Sequence, residues 1–145
     1  MTSLGLTLVV QLALAAGGET YAEAHKETTQ TGRPLVVLVG ADWCPACKVM
    51  KNTVMPQLRQ RGVLRKVAYA VVNLDREQEL GAKLTENGPI PQLLVFRRTG
   101  ASWHVDRLVG SQEASAVERL INDAVQASAA APEKAKADGH LAQAQ

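Results

Sequence analysis

"LVVLVGADWCPACKVM", residues 35–50, holds both cysteines of a 145-residue chain. Its first five residues are an unbroken aliphatic run. A run of that length without polar alternation reads as a strand buried on both faces. Cys44 and Cys47 follow at C-x-x-C spacing. Pro45 lies between them, where a helix is expected to open. The first turn of a helix has no intrahelical partners for its N–H groups, so a proline there loses nothing. The stretch reads as strand, turn and helix, with the cysteines at the junction and the helix running to about Met55.

That junction has a chemical consequence. Free N–H groups and the positive end of the helix dipole favour an anion. A thiolate at Cys44 is stabilised there, and its pKa is expected to fall below that of free cysteine. Cys47 is one turn further in, on the same side, and can close a disulfide with Cys44. Cys44 is thus the expected nucleophile and Cys47 the resolving thiol, working through a mixed disulfide. Two other uses of such a pair stand beside this one. An inert bridge closing so small a loop stabilises little by chain entropy. A zinc or copper site needs further ligands or a dimer, and His25, His104 and His140 are far apart in sequence.

Outward from this stretch the chain alternates. "ETYAEAHKETTQ", residues 19–30, reads as a helix: Thr20 and Glu23 form a capping box, Gly32 suits the position after the end, and Pro34 follows. Strands are expected at 67–74, 92–96 and 102–109, the last two joined by a turn at Thr99-Gly100, and a short helix at 77–84. Ser111 is expected to cap a last helix with Ala114, Val117, Ile121 and Val125 on one face. The order αβαβαββα implies an α/β fold, a mixed central sheet flanked by helices, over residues 18–127.

The ends differ from this body. Residues 4–16 are apolar except for polar points such as Gln11, too short a run to span a bilayer. Residues 1–17 read as a signal peptide with Ala13-Leu14-Ala15 at the cleavage site, although no Lys or Arg precedes the run. An N-terminal strand is the alternative. The Ala- and Lys-rich residues 128–145 cannot bury a core and read as a disordered tail. Hydrophobic residues are 46% of the chain and aromatic ones 3%, so Val, Leu, Ile and Ala must build the core. Sixteen basic residues against 14 acidic ones, with no basic stripe, argue against nucleic acid.

A second motif, "NGPIPQLLVF" at 87–96, puts Pro91 at the first residue of a strand, where proline is tolerated. A cis Ile90–Pro91 bond there would turn the Ile90 backbone groups outward beside the cysteines, ready to pair with an extended substrate. Of the charged residues near the pair, Asp42 reads as a loop carboxylate at the helix start. Lys48 reads as a solvated helix lysine, with the alternative of a cation placed to lower a thiolate pKa. Arg97 and Arg98 read as solvated residues of a hairpin.

"WCPACK" followed by "PIPQLLVF" resembles the thioredoxin superfamily, and the order of elements matches from about Glu19 to Gln126. "ADWCPACK", residues 41–48, is similar to thioredoxin-like domains of bacterial envelope proteins. The resemblance implies that Cys44 and Cys47 are the redox pair, that Trp43 flanks the nucleophile and offers a contact surface, and that Pro91 is the cis-proline facing the pair with Ile90. Pro45 and Ala46 between the cysteines join Lys48 in setting the pKa. The chain departs from the family pattern behind the pair. The family's buried Asp is replaced by Leu38, and the Lys near it by Val71. Pro56 also lies further along the helix than in thioredoxin.

The expectation is a thiol–disulfide oxidoreductase, acting as reductant on protein disulfides or dithiols. It needs no cofactor of its own, and its redox partner is a membrane electron donor or a thioredoxin reductase-like enzyme. It is expected to work as a monomer in the periplasm or secreted, with the cytoplasm as the alternative site. A non-catalytic binding or chaperone module and a metal-binding C-x-x-C protein are the competing classes.

Overall fold

A computed structural model describes residues 20–141, with side chains through residue 130. The segment 1–17 read as a signal peptide therefore lies outside the described residues. The first helix, α1, spans Tyr21–Thr31, with Thr20 and Glu23 forming the reciprocal capping box and Gly32 closing it at φ 74°. The hydrogen bonds from Thr20 hold the Glu23 carboxyl below its ordinary pKa. β1 (Leu35–Gly40) is buried along nearly its whole length, as its unbroken apolar run requires.

Then come α2 (Pro45–Val49), a π-helical turn (Met50–Val54), α3 (Met55–Gln60) and a 3₁₀ turn (Val63–Lys66). The helical path thus continues past Met55, to Gln60. Pro56 lies inside this path. It lacks an N–H, and in a regular α-helix its ring would strike the carbonyl one turn back. The π turn widens the helix just before it, with the Met55 N–H bonded to the Met50 carbonyl, and the chain passes the proline without stopping.

The remainder is β2 (Ala68–Asn73), α4 (Gln78–Thr85), β3 (Gln92–Thr99), β4 (Ser102–Val109) and α5 (Ala114–Leu141). α5 opens at Ala114, with the Glu113 carbonyl accepting from the Val117 N–H, so Ser111 lies in the preceding loop and is not the cap. At its other end α5 reaches Leu141. Residues 128–141 are thus helical here, where the composition suggested no structure. Ala, Glu and Lys are strong helix formers, so a sequence too polar for a core still extends a helix already nucleated by buried residues.

The sheet order is β2-β1-β3-β4, with β2 parallel to β1, β3 antiparallel to β1 and β4 antiparallel to β3. Alternate residues divide the core in two. Val36, Leu38, Tyr69, Leu93 and Val95 pack against Met55 and Leu58 of α3 and Val117 and Ile121 of α5. Leu35, Val37, Val39, Ala70, Val72 and Leu94 pack against α1 and α4. On the first side, burial pushes the Tyr69 phenol well above its usual pKa. The central strand β1 is covered on both faces, and its C-terminal end delivers the chain to the cysteines.

Candidate active site

Gly40 ends β1, and the chain turns through Ala41–Trp43 into α2. Cys44 is the residue before the helix, in extended conformation, and Pro45 is the first helical residue. The two sulfurs form a disulfide across a Cα–Cα distance of 5.2 Å. The Cys47 N–H points at the Cys44 sulfur, 3.3 Å away, and the Lys48 N–H bonds to the Cys44 carbonyl at 3.1 Å. A thiolate at Cys44 would therefore meet a backbone donor of the first turn as well as the helix dipole. Both cysteines are buried, at 5% and 6% exposure.

Gly40 makes this packing possible. A Cβ on it would lie 2.9 Å from the Cys47 Cβ and 3.0 Å from its sulfur. Ala41, Cys44 and Cys47 form a small apolar cluster, against which Ala46, Leu74 and Ile90 pack. The Ile90–Pro91 peptide is cis. Residues 44, 47, 46 and 90 are thus brought together, with Pro91 next in the chain. Lys48 and Pro45 lie exposed on the helix.

Trp43 is 69% exposed beside the pair, yet it is fastened. Its indole N–H donates to Asp75 Oδ1 at 3.1 Å, while the Asp42 N–H donates to Asp75 Oδ2 at 3.2 Å. The Asp75 N–H is in turn held by Asn73 Oδ1 at 2.8 Å, and Arg76 reaches the Asp42 carboxylate at 3.5 Å. Sequence reading singled out neither Asp75 nor Arg76. A polar "NLDR" directly after a buried strand was the available signal, but their partners are more than 30 residues away.

Gln92 was also missed. It is buried at the first position of β3 and donates to the carbonyls of Thr85 and Pro89 at 3.2 and 2.9 Å, while its own oxygen accepts from Arg107. Arg107 also donates to the Leu84 carbonyl and the Glu86 carboxylate, both at 2.9 Å. These bonds brace the loop that carries Ile90 and Pro91. The Gly110 N–H completes the brace on the Pro91 carbonyl at 2.8 Å. A lone Gln opening an apolar run was the sequence signal.

Behind the pair is a cavity of about 200 Å³. Leu38 and Val71 line it, paired across β1 and β2, together with Cys47; Asp42, Lys48 and Lys51 line it as well. For metal binding, the described residues hold no group of three or more His, Cys, Asp or Glu side chains that could share an ion.

A buried C-x-x-C disulfide at the start of a helix, after the central strand of a mixed sheet and beside a cis X-Pro loop, defines a class: thiol–disulfide oxidoreductases built on the thioredoxin fold. The family model described as thioredoxin-like matches residues 16–97, and the chain belongs to that family. No curated protein sequence matches it. Among solved structures it is similar to a thioredoxin from Thermus thermophilus, with 22% identity and a TM-score of 0.62 over 74% of this chain and 85% of that one. It is also similar to thioredoxins from Trichomonas vaginalis (19% identity, TM-score 0.57, 73% and 92% of the chains) and Fasciola hepatica (22%, 0.56, 72% and 94%). At these identities the likeness is one of fold.

Proposed function

We propose that the chain reduces disulfides in protein substrates through Cys44 and Cys47. The observation that carries this reading is the Cys44 sulfur at the helix start, facing the Cys47 N–H at 3.3 Å, with Trp43 and Ile90 beside it. The Cys44 thiolate attacks one sulfur of the substrate disulfide. That S–S bond breaks, a mixed disulfide forms, and the first substrate thiolate leaves. Cys47 then loses its proton and attacks Cys44; the mixed disulfide breaks and the second substrate thiolate leaves. The substrate gains two electrons and the pair ends in the bridged state seen here.

The surroundings favour the reducing direction. Strong oxidants owe their potential to a stabilised reduced form. Here the cavity behind the pair is lined by Leu38 and Val71, which offer a thiolate nothing, and by the solvent-exposed Lys48 and Lys51, whose charges water and salt screen. An external donor must return the electrons, and a membrane electron donor suits the envelope location that residues 1–17 suggest as a leader. N-terminal sequencing of protein from the envelope fraction tests that location; a chain still beginning at Met1 contradicts it.

The catalytic reading is tested by insulin reduction with Cys44→Ala. The expected result is loss of essentially all turnover. A rate equal to that of the unaltered chain would overturn catalysis and leave a binding module on the same surface. The direction is tested by equilibrating the pair in glutathione buffers. A potential near about −270 mV supports a reductant, and one near about −120 mV a disulfide donor.

A further inference from the structure

β4 ends the sheet, and among the described residues nothing pairs with its outer edge. Five large apolar side chains are exposed among the described residues. Trp43 and Val49 lie in and beside the helix start; the other three, Trp103, Val105 and Val109, all stand on β4. Their partners on β3 are Arg98, Phe96 and Gln92, so the three share one face of the sheet. An eight-residue edge strand carrying three exposed apolar groups is a template for another strand.

The backbone of these same residues is the free one. The Gly110 N–H bonds to the Pro91 carbonyl, directly opposite in the β3–β4 register. Antiparallel pairs alternate between bonded and non-bonded. The even-numbered residues of β4 therefore bond to β3, and residues 103, 105, 107 and 109 direct N–H and C=O outward.

We propose that β4 is a homodimer interface. Two copies pair β4 with β4, antiparallel, about a two-fold axis at Val105, and the two sheets become one. Such an interface is isologous, so each contact occurs twice. The charges select the register. Centred on Val105, His104 of one copy stands opposite Asp106 of the other, and Trp103 opposite Arg107. Both pairings are favourable: in the second the guanidinium, held in its plane by Leu84, Gln92 and Glu86, offers its face to the indole. Trp103 already accepts the Arg98 guanidinium in this way within one chain, at 5.6 Å. Centred on Asp106, two carboxylates would face each other, and centred on Arg107, two guanidinium groups; like charges directly opposite are destabilising. The sequence alone suggested a single copy, because a strand's edge position is known only once the sheet order is.

The test is cross-linking in a Cys44→Ser, Cys47→Ser background, with copper–phenanthroline as the oxidant. Val105→Cys places two thiols across the axis within disulfide reach and should give a covalent dimer at least about tenfold faster than Trp103→Cys or Val109→Cys, whose own copies lie out of reach. Equal rates at the three positions, or none at Val105→Cys, would overturn the register and the proposal. Sedimentation equilibrium of the otherwise unaltered chain at high micromolar concentration gives a second reading. The mass should be that of two chains, and Val105→Lys, which sets two ammonium groups together, should return it to one. A single-chain mass throughout, or a dimer indifferent to Val105→Lys, sinks the proposal.

Discussion

The Cys44–Cys47 pair has two unlike neighbourhoods. Behind it, Leu38 and Val71 line a cavity of about 200 Å³, and the charged residues on that lining, Asp42, Lys48 and Lys51, are exposed to solvent. In front of it, Asp42, Trp43, Asp75 and Arg76 form a hydrogen-bonded network at the surface. The difference assigns separate tasks. On the proposed reading, thiolate stabilisation comes from the helix start, and the cavity, which at about 30 Å³ per molecule has room for several waters, gives the Cys47 proton a way out. On the same reading recognition belongs to the front, where an exposed indole is fastened by Asp75. Chemistry and recognition can therefore be altered one at a time.

The sharpest way to break this division is to charge the floor. Leu38→Asp removes a side chain that is 2% exposed and puts a carboxyl in its place. Paired with Val71 rather than with a cation, an ionised group there should destabilise the chain by about 3–5 kcal/mol at neutral pH. Burial raises the pKa of the new carboxyl above its unfolded value. The loss should therefore be smallest in acid, where the group is neutral in both states, and should grow as the pH rises through the raised value. Urea midpoints at pH about 4 and about 8 measure it. Equal deficits at both pH values would mean that cavity water or the lining lysines reach the new carboxylate and that position 38 does not behave as a buried one.

A smaller effect is expected at the strand end. Gly40→Ala places a methyl 2.9 Å from the Cys47 Cβ, an atom fixed to the helix backbone that cannot swing aside. Overpacking of this kind costs about 1–3 kcal/mol. The strain should also move the cysteine geometry, so the equilibrium with glutathione should shift along with the thermal midpoint. A lowered midpoint with an unmoved redox equilibrium would show that the helix gives way as a unit and that Gly40 serves packing only.

Much of this was legible in the sequence because it is local. The capping box of Thr20 and Glu23 depends on neighbours three apart, and the buried strand on five consecutive residues. The junction at Cys44 depends on a strand and a proline that touch it. The alignment that set Leu38 and Val71 in one place is matched by their pairing across β1 and β2. What was not legible is either non-local or a competition between close alternatives. The helical path was expected to end near Met55 and runs on to Gln60, because a π turn carries the chain past Pro56 where regular α geometry cannot. The fastening of Trp43 by Asp75 joins two loops that only the parallel pairing of β1 and β2 brings together. The Gln92–Arg107 brace requires the hairpin register. Composition alone made the stretch after residue 128 look structureless, because it measures whether a segment can build a core and not whether it can prolong a helix.

The smallest predicted effect lies in the front network. Asp75 accepts from two donors at once, the Asp42 N–H and the Trp43 indole. Asp75→Asn keeps one acceptor and turns an amide NH₂ toward the other donor, so one of the two bonds is lost. At an exposed site the cost in stability should stay near or below about 1 kcal/mol. The consequence should appear in binding. Trp43 becomes free to move, and immobilising it on each encounter raises KM for a protein substrate by about two- to fivefold, roughly the cost of ordering one large side chain. The kcat of substrate reduction should hold, because no atom of Asp75 touches the sulfurs. Trp43 fluorescence anisotropy, read in a Trp103→Phe background, should fall in parallel. If kcat drops while KM and anisotropy stay fixed, the network acts on the chemistry, and the separation between the two sides of the pair fails at its front.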